Sequence, residues 1–275
     1  MSGVAWFDDR PLDAADARVP IDDASVMLGD GVFESIAIGP RGPFAVTRHI
    51  RRLRSAAERI GIDAPSEAQL RRAIATVADA ASQPAMLRVT VAARGVEPGS
   101  GARLIVTTRP LRAHGEAASA AIGPWVRNEV GFLAGLKSTS WGENAAALRA
   151  ARRYGADEAL FVTTRGDVCE GASCNVFAVI DGHLATPPLS AGCLPGITRE
   201  LLLEHGVAGE RPIAVDELWA ATEVFLTSSG RGVHPVRRLI DGHHPERSVA
   251  LPAPGAVGRA VAGVWSGLIE SSNDP

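Results

Sequence analysis

The sequence predicts an α/β or α+β protein with two domains, and three observations lead to this prediction. Segments with the two-residue period of strands alternate with segments whose apolar residues recur every three or four positions, as on one face of a helix. The 275 residues exceed the usual size of one hydrophobic core. Between residues 109 and 123 the composition shifts toward Pro, Gly, Ala and His, which is typical of a connection between domains.

We therefore predict a small N-terminal domain over residues 1–112, a linker over 113–122 and a larger C-terminal domain over 123–275. In the N-terminal domain, β-branched and apolar runs predict strands over 4–7, 32–38, 85–93 and 104–108. A basic helix is predicted over 47–60, because its apolar residues follow three- and four-residue steps. A second helix is predicted over 67–81.

In the C-terminal domain, an apolar run over 130–136 predicts a strand. Ser140 and Glu143 have the spacing of a capping box that would begin a helix over 143–153. Further strands are predicted over 159–163, 176–180 and 224–227, and further helices near 199–205, 216–221 and 257–269. Residues 271–275 are expected to fray.

Composition excludes several classes of function. The net charge of −3 is too small and too mixed for a protein that tracks nucleic-acid phosphates. No uncharged apolar run approaches the roughly 18 residues of a membrane span, and the first residues lack the apolar core of a secretory signal. We therefore expect a cytoplasmic protein. The three cysteines show no CxxC spacing, so we expect buried, reduced thiols and no metal site.

Lys137 is the only lysine of the chain, and it stands between the apolar run and the predicted helix start. An isolated lysine is usually a solvated ammonium on the surface. The alternative is an amine that apolar neighbours partly dehydrate, so that its pKa falls and it can attack an aldehyde.

A carboxylate occupies a similar position in the block 168–177, where Glu170 stands beside a glycine between two apolar segments. It could be a charge at the edge of a hairpin. It could also face a pyridine nitrogen and keep that nitrogen protonated, so that the ring can accept electrons. Asn175 could hold the same loop through side-chain bonds to the backbone.

Two turns have features of an anion site. In residues 194–200 a glycine-containing turn opens a helix, where free N–H groups and the helix dipole suit a phosphate. Thr198 could equally be an ordinary N-cap. In residues 225–232 hydroxyl side chains and glycines follow a buried strand directly, and this segment is either a second wall of the site or a simple turn.

Taken together and in this order, these blocks resemble the class IV aminotransferases, which are pyridoxal-phosphate (PLP) enzymes of fold type IV. The family includes D-amino-acid aminotransferases, branched-chain aminotransferases and 4-amino-4-deoxychorismate lyases. The resemblance runs from residues 29–34 through 49–53 to 227–229, and it is strongest over 170–175 and 194–199. It implies two domains with the active site between them, a PLP cofactor and a homodimer.

The resemblance also implies roles for individual residues. Lys137 matches the lysine that holds PLP as an imine, and Glu170 matches the carboxylate on the pyridine nitrogen. Arg52 matches the arginine on the phosphate; helical periodicity alone does not separate it from Arg54, because both border the apolar stripe. The remaining phosphate contacts match Ile197, Thr198, Ser228 and Ser229.

The activity that we predict is transfer of an amino group between a D-amino acid, or an (R)-amine, and an α-keto acid. The alternatives are a lyase that forms 4-aminobenzoate and pyruvate, a branched-chain L-amino-acid aminotransferase, and a PLP-binding protein without turnover. The loop over 94–101 lacks both the Arg-x-His pair of familiar D-amino-acid enzymes and the Arg-Gly-Tyr of many lyases. Arg88 is the first candidate for the substrate carboxylate, and the other candidate substrate residues are Phe33, Arg94, Trp141 and Arg231.

Overall fold

The computed structural model describes residues 3–82, 84–97 and 99–275. They divide into two compact units. The first contains the described residues up to Arg112 together with Leu136–Trp141 and Ile269–Pro275. The second contains Ala113–Gly135 and Gly142–Leu268. Two short segments predicted for the larger domain, one of them carrying Lys137, thus group with the first unit.

The first unit is built on a six-stranded sheet in the order β2-β1-β6-β5-β3-β4, in which every neighbouring pair is antiparallel. Its strands are β1 (Val4–Phe7), β2 (Arg10–Asp13), β3 (Gly31–Gly39), β4 (Gly42–Pro43), β5 (Ala85–Ala93) and β6 (Ala102–Pro110). All four strands predicted for this region are confirmed, and β2 and β4 are additional. Strands β3, β5 and β6 are nine residues long. Their alternating buried side chains form one wall of the core.

Three helices belong to the same unit: α1 (Ala24–Met27), α2 (Val46–Arg59) and α3 (Glu67–Asp79). The apolar stripe of α2 buries Ile50 and Leu53, and that of α3 buries Leu70 and Ile74, against the sheet. A capping box between Ser66 and Gln69 begins α3. Both predicted helices are confirmed to within about two residues at each end.

The first turn of α2 obtains its hydrogen-bond acceptors from the end of the chain. Its N-cap, Ala45, has no side-chain acceptor. The carboxylate of Asp274 accepts from the backbone N–H of Thr47 at 2.9 Å, and the carbonyl of Asn273 accepts from Ala45 at 2.7 Å. The expectation that residues 271–275 fray was therefore wrong, because these residues satisfy helix N–H groups that would otherwise lack partners.

The second unit contains a nine-stranded sheet in the order β12-β11-β10-β13-β14-β7-β8-β9, with β15 paired to β14. Its strands are β7 (Ala118–Arg127), β8 (Glu158–Thr163), β9 (Val168–Gly171), β10 (Asn175–Ile180), β11 (His183–Thr186), β12 (Gly209–Glu210), β13 (Glu223–Ser228), β14 (Gly232–Asp241) and β15 (Ser248–Ala250). Residues 118–122 of the expected linker therefore belong to a strand. The pairings of β7 with β8 and with β14 are parallel.

The helices of this unit are α4 (Gly142–Arg153), α5 (Ile197–Glu204), α6 (Val215–Ala220) and α7 (Ala256–Ser271, whose last three residues group with the first unit). Apolar side chains cover both faces of the central strands. On one face Val176 and Leu226 pack with Leu218 of α6. On the other face Phe177 and Phe225 stack at 5.2 Å. Burial on both faces explains why β10 has no polar alternation.

Residues 130–136 are a series of turns and not the predicted strand. The backbone N–H of Gly131 donates to Asn128, that of Ala134 donates to Gly131, and Gly135 has a φ of +73°. The apolar character of this run does not reflect burial, since Val130 is 84% exposed. Among the described residues, no helix has the length and hydropathy of a membrane span.

The predicted capping box before α4 is also wrong. The hydroxyl of Ser140 donates to the carbonyl of Gly29 at 3.0 Å, within the first unit. The carboxylate of Glu143 pairs with Arg127 at 2.7 Å, within the second. Both side chains therefore make tertiary contacts in place of the local reciprocal bonds, and α4 begins at Gly142.

Candidate functional site

Lys137 lies beside the start of β3, in the first unit. Its carbonyl accepts from the N–H of Phe33 at 2.8 Å, and the N–H of Thr139 donates to Gly31 at 2.8 Å. Gly31 permits this close approach, because a Cβ there would stand 3.0 Å from the hydroxyl of Thr139 and 2.9 Å from the carbonyl oxygen of Val91. The segment that carries Lys137 is thus fixed by backbone hydrogen bonds.

The amine of Lys137 is in contact with two aromatic rings. Its Nζ lies 4.5 Å from the ring centre of Phe33 and 5.1 Å from that of Trp141. The two rings meet edge to face at 5.6 Å, and Phe33 is buried. The rings replace water on part of the amine surface, and their faces attract the amine when it carries a charge. This environment differs from that of a solvated surface lysine.

Arg88 contacts the same phenyl ring. Its guanidinium carbon lies 3.7 Å from the ring centre of Phe33, and its Nε donates to the hydroxyl of Thr90 at 3.3 Å. Arg88 makes no ion pair with any residue that the structure describes. Partial burial and the nearby charge of Arg109 lower the pKa of Arg88. The ring of Phe33 is therefore in contact with both Lys137 and Arg88, and Arg88 has no carboxylate partner among the described residues.

A buried carboxylate orients Arg52. Glu34 of β3 accepts from Nε of Arg52 at 2.7 Å and from Nη2 at 2.6 Å, and Nδ1 of His49 lies 2.7 Å from the same carboxylate. Burial alone would raise the pKa of Glu34, but the charge of Arg52 and the hydrogen bonds from Arg52 and His49 hold that pKa well below its usual range. Arg54 is exposed, so the structure separates the two arginines that periodicity left equivalent.

Burial lowers the pKa of His49 and outweighs the charge and the hydrogen bond of Glu34, which raise it; the positive charges of Arg52 and Lys137 lower it further. A neutral His49 can donate from Nδ1 to Glu34. Neither Glu34 nor His49 was a predicted site residue. A charged residue inside the apolar run 32–38 was the available signal, because a buried carboxylate requires partners.

In the second unit, Glu170 lies on β9 with 7% of its surface exposed. Its Oε2 accepts from the backbone N–H of Leu194 at 3.0 Å. The amide of Asn175 donates to the carbonyl of Leu194 at 2.8 Å. Glu170 is therefore not an exposed charge at a hairpin edge. Asn175 contacts the segment before α5 and not, as expected, its own loop.

The start of α5 is an uncapped helix N-terminus. Its N-cap is Gly196, which offers no side-chain acceptor, so the N–H groups of Ile197 and Thr198 have no intrahelical partners. A Cβ at Gly196 would stand 1.9 Å from Oδ1 of Asn175. Thr198 is not the N-cap. Its hydroxyl is buried and has no hydrogen-bond partner among the described residues.

These features fit a phosphate group. Free helix N–H groups and a buried, unpaired hydroxyl are donors that an anion can satisfy. The hairpin after β13 begins with a further hydroxyl, Ser228, which accepts from the N–H of Arg231 at 3.3 Å. Ser229 lies in the turn between β13 and β14 and is half-buried.

The other two candidate arginines are engaged by carboxylates. Nη1 of Arg231 lies 2.7 Å from Oε2 of Glu158, which also accepts from the hydroxyl of Ser173 at 2.6 Å. This network joins the loop after Glu170 to the hairpin after β13. Arg94 pairs with Asp8 at 2.8 Å. Arg94 and Arg231 therefore have fewer donors to offer a substrate than Arg88 has.

All three cysteines are buried free thiols in the second unit, as their spacing predicted. Burial raises the pKa of Cys193 to about 12 and raises the pKa of Cys169 and Cys174 as well. At neutral pH these thiols are protonated and are weak nucleophiles.

Comparison with known proteins identifies what the chain is similar to. The family described as "Amino-transferase class IV" matches residues 31–239. A putative branched-chain-amino-acid aminotransferase of Methanocaldococcus jannaschii is 31% identical over 255 residues, which cover 86% of this chain and 88% of that protein. A D-alanine aminotransferase of Bacillus licheniformis is 31% identical over 272 residues, 93% of each chain.

Solved structures agree with these relatives. The branched-chain aminotransferase of Thermoproteus uzoniensis with norvaline superposes with a TM-score of 0.87 at 28% identity, covering 98% of this chain and 95% of that one. A hypothetical aminotransferase of Mycobacterium tuberculosis in its PLP-bound form gives a TM-score of 0.84 at 27% identity, with 98% and 99% coverage.

Proposed function

This chain belongs to the class IV aminotransferase family, and from that premise we propose that it moves an amino group between a D-amino acid, or an (R)-amine, and an α-keto acid. It is a PLP-dependent enzyme of fold type IV. One observation carries the assignment of substrate-binding residues: the phenyl ring of Phe33 contacts both the amine of Lys137 and the guanidinium of Arg88.

PLP, when bound, supplies an aldehyde carbon that accepts the amino group and a pyridine ring that takes up electrons. Lys137 is the residue that binds this aldehyde in our proposal, and Glu170 keeps the pyridine nitrogen protonated. The N–H of Leu194 fixes one oxygen of Glu170 and thereby the direction of the carboxylate. Arg52, the first N–H groups of α5 at Ile197 and Thr198, and the hydroxyls of Ser228 and Ser229 hold the phosphate.

Lys137 is also the proton carrier in this proposal. Once the donor's amine has replaced it on the aldehyde carbon, Nζ of Lys137 would be free to take the proton from the Cα of the donor and to return it to that carbon of the cofactor. An uncharged amine is required for the first of these tasks, and Nζ of Lys137 lies against the rings of Phe33 and Trp141. The same two rings exclude water from one side of the reacting amine, and they form the wall against which we place the substrate.

Arg88 binds the substrate carboxylate in this proposal. A bidentate arginine is well suited to a carboxylate, and Arg88 has no competing carboxylate among the described residues. Arg94 and Arg231, the other two candidates, already pair with Asp8 and Glu158. We therefore propose that these two arginines stabilise the segments around the site through their ion pairs and do not bind the carboxylate of the substrate.

A second candidate is an aminotransferase for branched-chain L-amino acids. The similarity to the Methanocaldococcus jannaschii and Thermoproteus uzoniensis proteins, both named branched-chain aminotransferases, favours it. The similarity over 93% of both chains to a D-alanine aminotransferase favours the first candidate. The two activities use the same proton carrier and differ in which face of the donor's Cα meets Lys137.

A half-reaction screen by absorbance separates the candidates. D-Alanine, D-glutamate, (R)-phenylethylamine, L-leucine and aminodeoxychorismate are offered one at a time, and released keto acid is measured. We expect a D-donor or the (R)-amine to convert the cofactor to its amine form. Conversion by L-leucine alone would establish the second candidate. Pyruvate from aminodeoxychorismate without conversion would indicate a lyase, and conversion by no donor would indicate a PLP-binding protein without turnover.

Two variants test the residue assignments. Lys137→Ala should abolish turnover and the borohydride-dependent fixation of PLP to the protein.

Arg88→Gln should raise KM for carboxylate donors about tenfold or more, because a charge-assisted pair contributes roughly 1.5–3 kcal/mol. The same variant should leave KM for (R)-phenylethylamine, which has no carboxylate, nearly unchanged. Arg109→Gln is the matched control on the neighbouring strand, and an equal effect of both variants would contradict the role of Arg88.

We propose a homodimer as the working form. Val26 and Met27, at the end of α1, are 54% and 68% exposed, and Leu28, the residue after the helix, is 61% exposed. Three adjacent apolar side chains in contact with water are typical of an interface. The exposed turns over 130–136 provide a second apolar surface. Light scattering should give twice the mass of the chain for the wild type. Met27→Glu should lower that mass, and a monomeric wild type would contradict the proposal.

A further inference from the structure

We propose that Thr227, which no motif selected, is a further phosphate-binding residue whose hydroxyl donates to the phosphate monoester of the cofactor. The inference rests on the PLP dependence of the chain and not on the identity of the amino donor. It is drawn from the second unit alone, where β10, β13 and α5 pack together.

The position of Thr227 follows from strand register. Thr227 of β13 lies opposite Asn175 of β10, and two residues along, Phe225 lies opposite Phe177. Side chains two residues apart on a strand point to the same face. The stacked rings of Phe177 and Phe225 pack with Leu202 of α5, so Thr227 faces the side of the sheet that α5 covers.

The position of Thr198 follows from the helix. Thr198 precedes Leu202 by four residues, so both lie on the same face of α5 about 6 Å apart along its axis. Two residues along a strand span about 6.8 Å. One turn of α5 therefore matches the step from Phe225 to Thr227, and from this match we place Thr198 over the pair formed by Thr227 and Asn175.

An independent contact supports this alignment. Asn175 is the cross-strand partner of Thr227, and its Oδ1 would stand 1.9 Å from a Cβ on Gly196. Gly196 is the N-cap of α5. The helix therefore begins directly above the Asn175–Thr227 pair. The N–H groups of its first turn, which have no intrahelical partners, lie near the same pair of residues.

The two hydroxyls have an unusual environment. Thr198 is 2% exposed and Thr227 is 1% exposed, and neither hydroxyl has a hydrogen-bond partner within the described part of the chain. Folded proteins pair nearly all buried hydroxyl groups. Two that remain unpaired beside an uncapped helix N-terminus indicate a ligand that accepts several hydrogen bonds. A phosphate dianion has this chemistry.

The test compares cofactors with and without the phosphate. Apoprotein is titrated with PLP and, separately, with pyridoxal, and the dissociation constant of each is measured by absorbance. Thr227→Val keeps the shape of the side chain and removes its hydroxyl. We expect it to weaken PLP binding about tenfold and to leave pyridoxal binding unchanged. Thr227→Ser should restore the affinity for PLP.

Thr186→Val is the matched control. Thr186 is fully buried in the same unit, and its hydroxyl donates to the carbonyl of Val176 at 2.8 Å. This control should lower thermal stability without changing the ratio of the PLP and pyridoxal dissociation constants. If Thr227→Val does not fold, Thr227→Ala provides the same comparison.

Two outcomes would overturn the inference. Equal losses of PLP and pyridoxal affinity would make Thr227 a structural residue, and no loss of either would assign its hydroxyl to a buried water. Because only cofactor binding is measured, a wild-type protein that fails to convert any amino donor would contradict the proposed donor class and leave this result intact.

Discussion

Glu34 is the single side chain that determines how Arg52 is presented. A guanidinium on a surface helix ordinarily samples many rotamers. Two hydrogen bonds to one buried carboxylate fix both the rotamer and the plane of this one. Because we propose that Arg52 holds the cofactor phosphate, Glu34 acts in this proposal as a positioning residue for the phosphate site.

Glu34→Gln should weaken cofactor binding through the phosphate. The amide keeps the size of the side chain, but it removes the negative charge and one acceptor from Arg52. We expect the dissociation constant of PLP to rise about tenfold, which corresponds to roughly 1.4 kcal/mol, with a smaller change for pyridoxal. Equilibrium dialysis measures both. Glu58→Gln, on the exposed side of α2, is the control, and an unchanged PLP affinity in Glu34→Gln would refute the positioning role.

His49 makes stability depend on pH in a definite direction. Its pKa in the folded protein lies below the ordinary value of 6.5, so below pH 6.5 the unfolded chain binds more protons than the folded one. The stability due to neutral His49 is therefore present above pH 6.5 and is lost as the pH falls below it. Glu34 has a depressed pKa too, but it loses its contribution only below its ordinary value of 4.5.

We therefore expect the midpoint of urea unfolding to fall between pH 7.5 and pH 5.5, and to fall less in His49→Gln. His234 also has a lowered pKa, through burial and the charge of Arg231, and it titrates in both proteins. The difference between the two pH slopes isolates His49. Parallel slopes for wild type and variant would show that His49 is not the titrating group.

At the scale of elements, α2 shows how a helix can depend on residues far away in the sequence. Its first turn contains no Ser, Asp or Asn at the N-cap, where Ala45 has a left-handed φ of 56°. The carboxylate of Asp274 and the carbonyl of Asn273 supply the acceptors. The helix that carries Arg52 is therefore completed by residues 227 positions later in the chain.

Removing this cap should destabilise the start of α2. Asp274→Ala deletes the acceptor for the N–H of Thr47, and loss of an N-cap costs about 1 kcal/mol. Hydrogen exchange of the first-turn amides should accelerate, while amides in the middle of α3 keep their protection. Asp63→Ala, another exposed acid of the same unit, is the control. Unchanged exchange in the Asp274 variant would mean that the tail contributes nothing to α2.

The element that the sequence misrepresented is the run 130–136. Its apolar composition suggested burial in a sheet, yet its backbone bonds are those of successive turns and its apolar side chains reach solvent. An apolar sequence predicts that its side chains will be shielded from water. It does not specify whether the same chain or another molecule shields them. If the protein is the dimer that we propose, such side chains can be covered by a second copy and need no partner in their own sheet.

At the scale of the whole molecule, the chain does not divide at one point. The described residues up to Arg112 form most of the first unit, close to the predicted end of the N-terminal domain, but 136–141 and 269–275 return to it. A boundary inferred from composition is a single position along the chain. A segment of six residues that pairs with the start of β3 leaves no compositional mark.

From the sequence alone we located six of the seven helices and seven of the fifteen strands that the structure describes, together with the chemically distinctive residues. Period and length located β5, α2 and α4 closely. A sole lysine, a carboxylate beside a glycine and a glycine turn before a helix, taken together and in this order, are the features on which the resemblance to the family rests. These features are local, because they depend on residue type and near spacing.

Tertiary contacts were needed to show which of the two candidate arginines is oriented, which carboxylate orients it, and which buried hydroxyls lack partners among the described residues. Arg52 differs from Arg54 by its contact with Glu34, 18 residues away in the sequence. Thr227 differs from the equally buried Thr186 in that its hydroxyl has no hydrogen-bond partner among the described residues. Such distinctions arise from contacts between distant segments. Burial and hydrogen bonding at those contacts, rather than residue type, set the charge and the unpaired groups of the site.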